Sequence, residues 1–320
     1  MKIVPPKTII LTLALPSVLS SCAVLTDSQV KNINAFAATA KSYSAFPSAV
    51  MDQRAVLHLH SELAGASHFS SADQIDRSLE RARKSYDAAI QVSAKFDLSL
   101  RLIQQYAGLL TKLSSDHYIS DLDAPSASLG ENLDNLVSLY NTKVKDTLPP
   151  GLGANISKVI LMVGKVLTRH KQTAALKEFV LAADTLVQVT TGNLVTVLDK
   201  ESFMDTQGNT WPSLQALLAE EKKSFAGIYR STVFGNTAKI DYSSVKWYYD
   251  ELLTYDNTEQ LRKSVVQAAQ SLALAHRELA KNVREKKDLK GIIEQTQKLV
   301  ADVQTAGSAF SSLSTLIKLH

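Results

Sequence analysis

One seam constrains the fold more than any other feature. Ile75, Ala82, Ala89, Phe96, Ile103 and Leu110 recur every seventh residue, and Leu79, Tyr86, Ser93, Leu100 and Ala107 fall four places after each. An apolar period near 3.5 belongs to an α-helix with one buried side, never to a strand, whose period is two. Small residues dominate the first half of the seam and Ser93 interrupts it. Ile90, Val92, Leu102, Leu109 and Leu113 widen the second half, which suits a helix with more than one neighbour. Ser70 and Ser71 offer an N-cap, and Asp73 and Asp76 suit the positive end of the helix dipole. The spacing predicts a helix from about Ala72 to His117, a rod of roughly 68 Å at 1.5 Å per residue.

Glycine and proline are sparse, 12 and 8 in 320 residues, so few points punctuate the chain. Elsewhere the pattern is again helical, and the fold class expected is all-α: an elongated helical bundle with long coiled-coil-like helices. A second long helix is predicted from Ala154, after "LPPGLG", to about Lys200. Its stripe is Ile156, Ile160, Val163, Leu167, Ala174, Leu181 and Val187, with a weak point at "VTTGN", 189–193. Two more are predicted over Thr258–Lys287 (Val265, Ala269, Leu272, Leu279, Val283) and Asp288–Leu319 (Leu289, Ile292, Leu299, Val303, Phe310, Leu313). Whether these two are continuous or bend at Gly291 is left open by the pattern. Shorter helices are expected over Asp27–Leu63, kinked near Pro47, and over Leu129–Lys145, Ser213–Thr232 and Tyr242–Tyr255. Loops are expected at 65–71, 116–128, 205–212 and 233–239. No 20–50-residue repeat marks a solenoid.

The N-terminus has the parts of an export signal: cationic Lys2 and Lys7, an apolar run from Ile9 to Leu19, then Ser20 and Ser21. That run is shorter than the roughly 20 residues a bilayer span needs, and no later segment reads as apolar enough to cross. Leu19-Ser20-Ser21-Cys22 resembles the lipobox of bacterial lipoproteins. The resemblance implies a diacylglycerol thioether on Cys22, cleavage before it, and a membrane anchor. Ala23 after the cysteine implies the outer membrane by resemblance to enterobacterial sorting signals. Cys22 is the one cysteine of the chain, so no internal disulfide can form and packing must supply stability. Two other readings stand beside it: ordinary signal cleavage after Ala23, and an uncleaved helix. The organisation expected is a signal over 1–21 and a helical body over 22–320, with two sub-bundles possible, divided near 205–240.

Taking Lys2 and Lys7 from the 35 basic residues leaves 33 against 31 acidic ones. Such a near-balance argues against a nucleic-acid partner, which asks for clustered basic excess.

Side chains with chemical potential are scattered. In "HLHSE", 58–62, His58 and His60 point to opposite sides of a helix and only His58 and Glu62 share a face, too few for zinc. Asp116, His117, Asp121 and Asp123 lack the ligand spacing of an EF-hand loop, and so does "DTQGN", 205–209. "PPGLGAN" fits no phosphate-binding motif. The apolar "ISKVILMVGKVL" that follows is interrupted by Lys158 and Lys165 and reads as a core helix. His170 and His276 lie on or beside apolar stripes, where a satisfied bundle histidine is the usual case. Tyr242, Trp247, Tyr248, Tyr249 and Tyr255 concentrate the aromatics of an aromatic-poor chain and form the candidate partner or ligand surface. No nucleophile–base motif occurs.

The function expected is a non-enzymatic, lipid-anchored envelope protein without cofactor, docking an envelope protein or the cell wall. Two alternatives remain. One is a membrane-active protein similar in architecture to long-helix pore-forming toxins, inserting residues 152–167. The other is a ligand-binding lipoprotein with a pocket near the aromatic cluster.

Overall fold

The structure is a computed structural model that describes residues 27–67, 69–115, 125–144, 169–200, 203–204, 210–235, 240–285 and 290–318. Its helices are α1 (Asp27–Tyr43), α2 (Pro47–Ala66), α3 (Ala72–Ser114), α4 (Pro125–Val144), α5 (Arg169–Val195), α6 (Leu214–Tyr229), α7 (Tyr242–Glu285) and α8 (Lys290–Lys318). Five-residue π-turns extend α5 over Thr196–Lys200 and α6 over Arg230–Phe234. Among the described residues the β-structure is one antiparallel ladder, Phe203 opposite Trp211 and Met204 opposite Thr210. The protein is an all-α helical bundle.

The seam of α3 becomes its buried side. Ala82, Ala89, Phe96, Ile103 and Leu110 are in the core with Leu102, Leu109 and Leu113, so the wide half of the stripe is the half buried on two sides. Leu79 is the departure: it stands in solvent, near the N-terminal end where neighbours are fewer. Ser93, the interruption, is buried and donates to Asp52 Oδ1 at 2.6 Å.

Three polar contacts give one antiparallel register to α1 and α2 along α3. Ser114 donates to Asn34 (2.5 Å), Ser93 to Asp52, and Arg81 to Glu62 (3.3 Å). The kink expected near Pro47 is instead a full break at Ser44–Phe46, with Pro47 opening α2. Proline has no N–H to lose in a first turn, so it starts a helix where it would have disrupted one. Phe46 fills the break by packing on Phe310, over Gly307.

α5 runs antiparallel to both α3 and α7. Gln172 donates to the Leu113 and Ser115 carbonyls, and Gln188 to the Ala273 carbonyl. α7 and α8 form an antiparallel pair, fastened by Lys298 and Asp302 on Ser271. In place of two helices, expected over 242–255 and 258–287, Tyr242–Glu285 is one 44-residue helix, α7, about 66 Å long. Nor does "VTTGN" break α5: Thr190 and Thr191 are buried and Thr191 satisfies its hydroxyl on the Val187 carbonyl. The stripe expected there is also shifted. Val187 is buried as expected, but Ala174 is exposed and Leu181 half-buried, and the rest of the core side is Leu176, Phe179, Val180, Ala183 and Leu186. Phe310 likewise lies at the surface. α4 begins at Pro125, inside the loop expected over 116–128.

α5 does pass a test of length and apolarity for a membrane span, over Gln172–Asp199 at mean hydropathy 1.2, contrary to the expectation that no later segment would. Leu176, Phe179, Val180, Leu186, Val187, Leu194 and Leu198 are nonetheless core residues of the bundle, while Leu181, Val189 and Val197 are half-buried.

These registers define two poles. Residue 27 shares one with Ser115, Gln172, Glu285 and Lys290. The other holds Ala66, Ala72, Phe234 and Tyr242.

Candidate functional site

The aromatic segment belongs to the second pole, where α6 packs antiparallel on the start of α7. Tyr229 donates to the Ser244 carbonyl at 2.9 Å, and Lys222 pairs with Asp256 at 2.5 Å. Asp241 caps α7, accepting from the Ser244 N–H. The Ser243 hydroxyl and that N–H together hold its carboxyl down at about 2.

Six rings interlock beneath this cap. Tyr229 stacks on Tyr248 at 5.2 Å, Trp247 meets Phe225 edge-on at 5.4 Å, and Phe234 closes on Tyr229 and Tyr248 edge-on. Such pairs add roughly 0.5–1.5 kcal/mol each beyond burial. Tyr255 corrects the sequence expectation of a surface ring. It is 1% exposed and donates to the Leu57 carbonyl at 3.2 Å. Burial, with the Glu221 and Glu251 carboxylates nearby, pushes its phenol well up. Trp247 and Tyr248 are half-buried parts of the same packing.

Only Tyr242 and Tyr249, 79% and 64% exposed, stand in solvent. Two residues missed in the sequence join them: Ile240 and Val245, also exposed. Tyr242, Val245 and Tyr249 are three and four apart, so they share one face of the first two turns of α7. That spacing was visible in the sequence, but the ring count obscured it.

"HLHSE" serves three neighbours rather than one metal. His58 Nδ1 lies 3.1 Å from Glu221 of α6, His60 Nδ1 2.9 Å from Glu251 of α7, and Glu62 takes Arg81 of α3. The Arg54 guanidinium also pairs with Glu221. Among the described residues no group of three or more His, Cys, Asp and Glu side chains can hold a metal ion.

Towards the first pole the interior contains a second polar cluster. His276 of α7 is 0% exposed, with Nδ1 3.0 Å from Asp184 of α5 and Nε2 2.8 Å from the Tyr106 hydroxyl of α3. The Phe36 ring of α1 covers it at 5.7 Å. Burial holds His276 below its ordinary value against the pull of Asp184. The His276 bond holds Asp184 low, and burial pushes Tyr106 up. Four turns earlier on α7, Arg262 is 1% exposed. Its guanidinium donates to Glu259, to Asp199 and to the Leu198 carbonyl at the π-turn.

Two open grooves lie along α3, not at the rings. One, about 490 Å³, is bordered by Lys41, Ser42, Asp97 and Arg101. The other, about 680 Å³, is bordered by Asp52, Tyr86, Ile90 and Phe310. Neither meets Trp247, the ring a ligand pocket was expected to use.

Cys22, Asp116, His117, Asp121, Asp123, the 152–167 stretch and 205–209 lie outside the described residues, as does the His170 side chain. No family model, curated protein or solved structure matches the chain.

Proposed function

We propose that the protein is a lipid-tethered, non-enzymatic spacer of a bacterial envelope. Anchored through Cys22, it holds the Tyr242–Val245–Tyr249 face away from the membrane for a partner protein of the envelope. The observation that carries this reading is the separation of the two features. α1 starts at residue 27, five residues after Cys22, and five residues span at most about 18 Å. The exposed face belongs to the opposite pole, at the far end of a 44-residue helix of about 66 Å. A tether at Cys22 therefore leaves the face free and distant.

Energy and chemistry agree with both halves. Two acyl chains give stable attachment at about 0.8 kcal/mol per buried CH₂. Exposed tyrosines at helical spacing are efficient anchors, because a large ring immobilises few torsions. The face is small beside the roughly 800 Å² per partner of a standard interface, which suits a reversible contact.

The tether is tested by labelling cells with radioactive palmitate, with Cys22→Ser as control. The face is tested by a photo-crosslinking residue at position 249 in the native bacterium, against one at solvated Lys263. Capture of one envelope protein from 249 alone supports docking. Capture of cell-wall glycan instead moves the partner to the wall. Equal yields from both positions sink the docking role.

A further inference from the structure

Three described histidines each face a carboxylate on another helix, but their surroundings differ. The rings of His58 and His60 reach solvent, and each turns one nitrogen, Nδ1, to its carboxylate, Glu221 or Glu251. His276 has no such freedom, since it is wholly enclosed and both ring nitrogens are committed. Asp184 can only accept, so Nδ1 carries the proton and Nε2 accepts from the Tyr106 O–H. Among the described residues the Tyr106 hydroxyl has no other hydrogen-bond partner, and the rings of Phe179 and His276 lie against Tyr106 at 5.1 and 5.3 Å.

We propose that Tyr106–His276–Asp184 is an acid-sensitive clasp: a proton taken up at Nε2 ends the Tyr106 donation and loosens α7 from α3 and α5 in the half of the rod nearest residue 27. The balance is simple. The imidazolium has two N–H donors, one for Asp184 and one aimed at the Tyr106 oxygen. Tyr106 must then turn its own proton into the apolar wall, leaving a buried donor unmade. An unmade buried donor disfavours the closed clasp.

The charged and titratable groups around the ring come from three helices. α3 supplies Tyr106 and α5 supplies Asp184. α7 itself supplies Arg277, which is held by Gln188 beside Asp184. From α1 the uncharged Phe36 ring lies against the His276 ring. Gln267, Ser271 and Glu278, which meet α8, lie on the other side of α7.

The sign follows from burial. His276 in the folded bundle ionises below the ordinary 6.5, so its contribution is whole above pH 6.5. It is lost as pH falls through the lower folded value. Asp184 is held below 3.8, so its own loss begins only under that pH. The window between the two belongs to His276.

The test is hydrogen exchange on the full mature chain in detergent at pH 7.5 and 5.0, corrected for intrinsic rates. At pH 5.0 residues 272–280 and 102–110 should exchange at least about tenfold faster, with 57–66 and 247–255 changed less than about twofold. His276→Gln should remove the difference. A uniform rise along the chain, or the same rise in the variant, overturns the proposal. Should that variant fail to fold, ring ¹⁵N resonances of the wild type decide. An Nδ1–H tautomer titrating below 6.5 supports the clasp, and a midpoint at or above 6.5 removes it.

Discussion

At the scale of single residues, α7 shows how polar groups enter a core. Thr258, Arg262, Val265, Ala269, Leu272, His276, Leu279 and Val283 are spaced alternately four and three, one unbroken inward seam. Two members of it are ionisable. The sequence placed His276 on or beside an apolar stripe but did not single out Arg262, although it sits on the same seam; buried ionisable groups need partners. What spacing does not give is the partner, because Asp199, Asp184 and Tyr106 come from helices 63 to 170 positions away. Removing the cation strands its carboxylates. Arg262→Ala should lower the unfolding free energy by about 3 kcal/mol, read from urea midpoints, and more than the volume-preserving Arg262→Met. Tyr43 makes the opposite case. Its hydroxyl is enclosed and has no partner among the described residues, and burial pushes it far up. Tyr43→Phe should therefore leave stability unchanged or raise it by up to about 1 kcal/mol in the same assay.

Elements were legible in proportion to their periodicity. α3 was read almost to the residue, because its seam recurs six times and serine and aspartate mark its start. α7 was divided in two, because aromatics crowd its first third and "TYDNTEQ" looks like a loop. There Thr254 and Thr258 send their hydroxyls back to carbonyls four residues earlier, and the helix continues. Spin labels at positions 249 and 281 should therefore lie about 48 Å apart along one straight helix. A distance distribution centred well below that would restore the break. The start of α6 rests on Ser213, which accepts the Ala216 N–H at 3.3 Å. Ser213→Ala should cost about 1 kcal/mol of stability, checked by thermal unfolding. Pro47 was read correctly as a disturbance and wrongly as a kink. A helix-breaking residue marks a discontinuity, but what lies on the far side is decided by packing, here Phe46 against Gly307 and Phe310.

For the whole molecule, composition and spacing foretold helices and long rods, but not which helices meet. Pairing is settled by contacts such as Gln172 on Leu113 or Gln188 on Ala273, which no local pattern announces. Exposure in the aromatic segment was half legible: Tyr242 and Tyr249 stand in solvent, but Tyr255 turns inward and Ile240 and Val245 went unnoticed. The rod geometry makes its own prediction. Charged substitutions Tyr242→Glu and Tyr249→Glu should abolish capture at the far pole while changing the unfolding midpoint little, since both side chains are solvated. A large loss of stability would show that the face is packed rather than presented.

The antiparallel course of α1 and α7 also decides how the bundle bears force. A pull between residue 27 and the Tyr249 face acts lengthwise, so neighbouring helices must slide past one another with their interlocked side chains resisting together. Peeling, which parts such contacts one at a time, needs a load applied across the rod. The fold is thus stiffest along the line from residue 27 to the Tyr249 face, with no internal disulfide to thank for it.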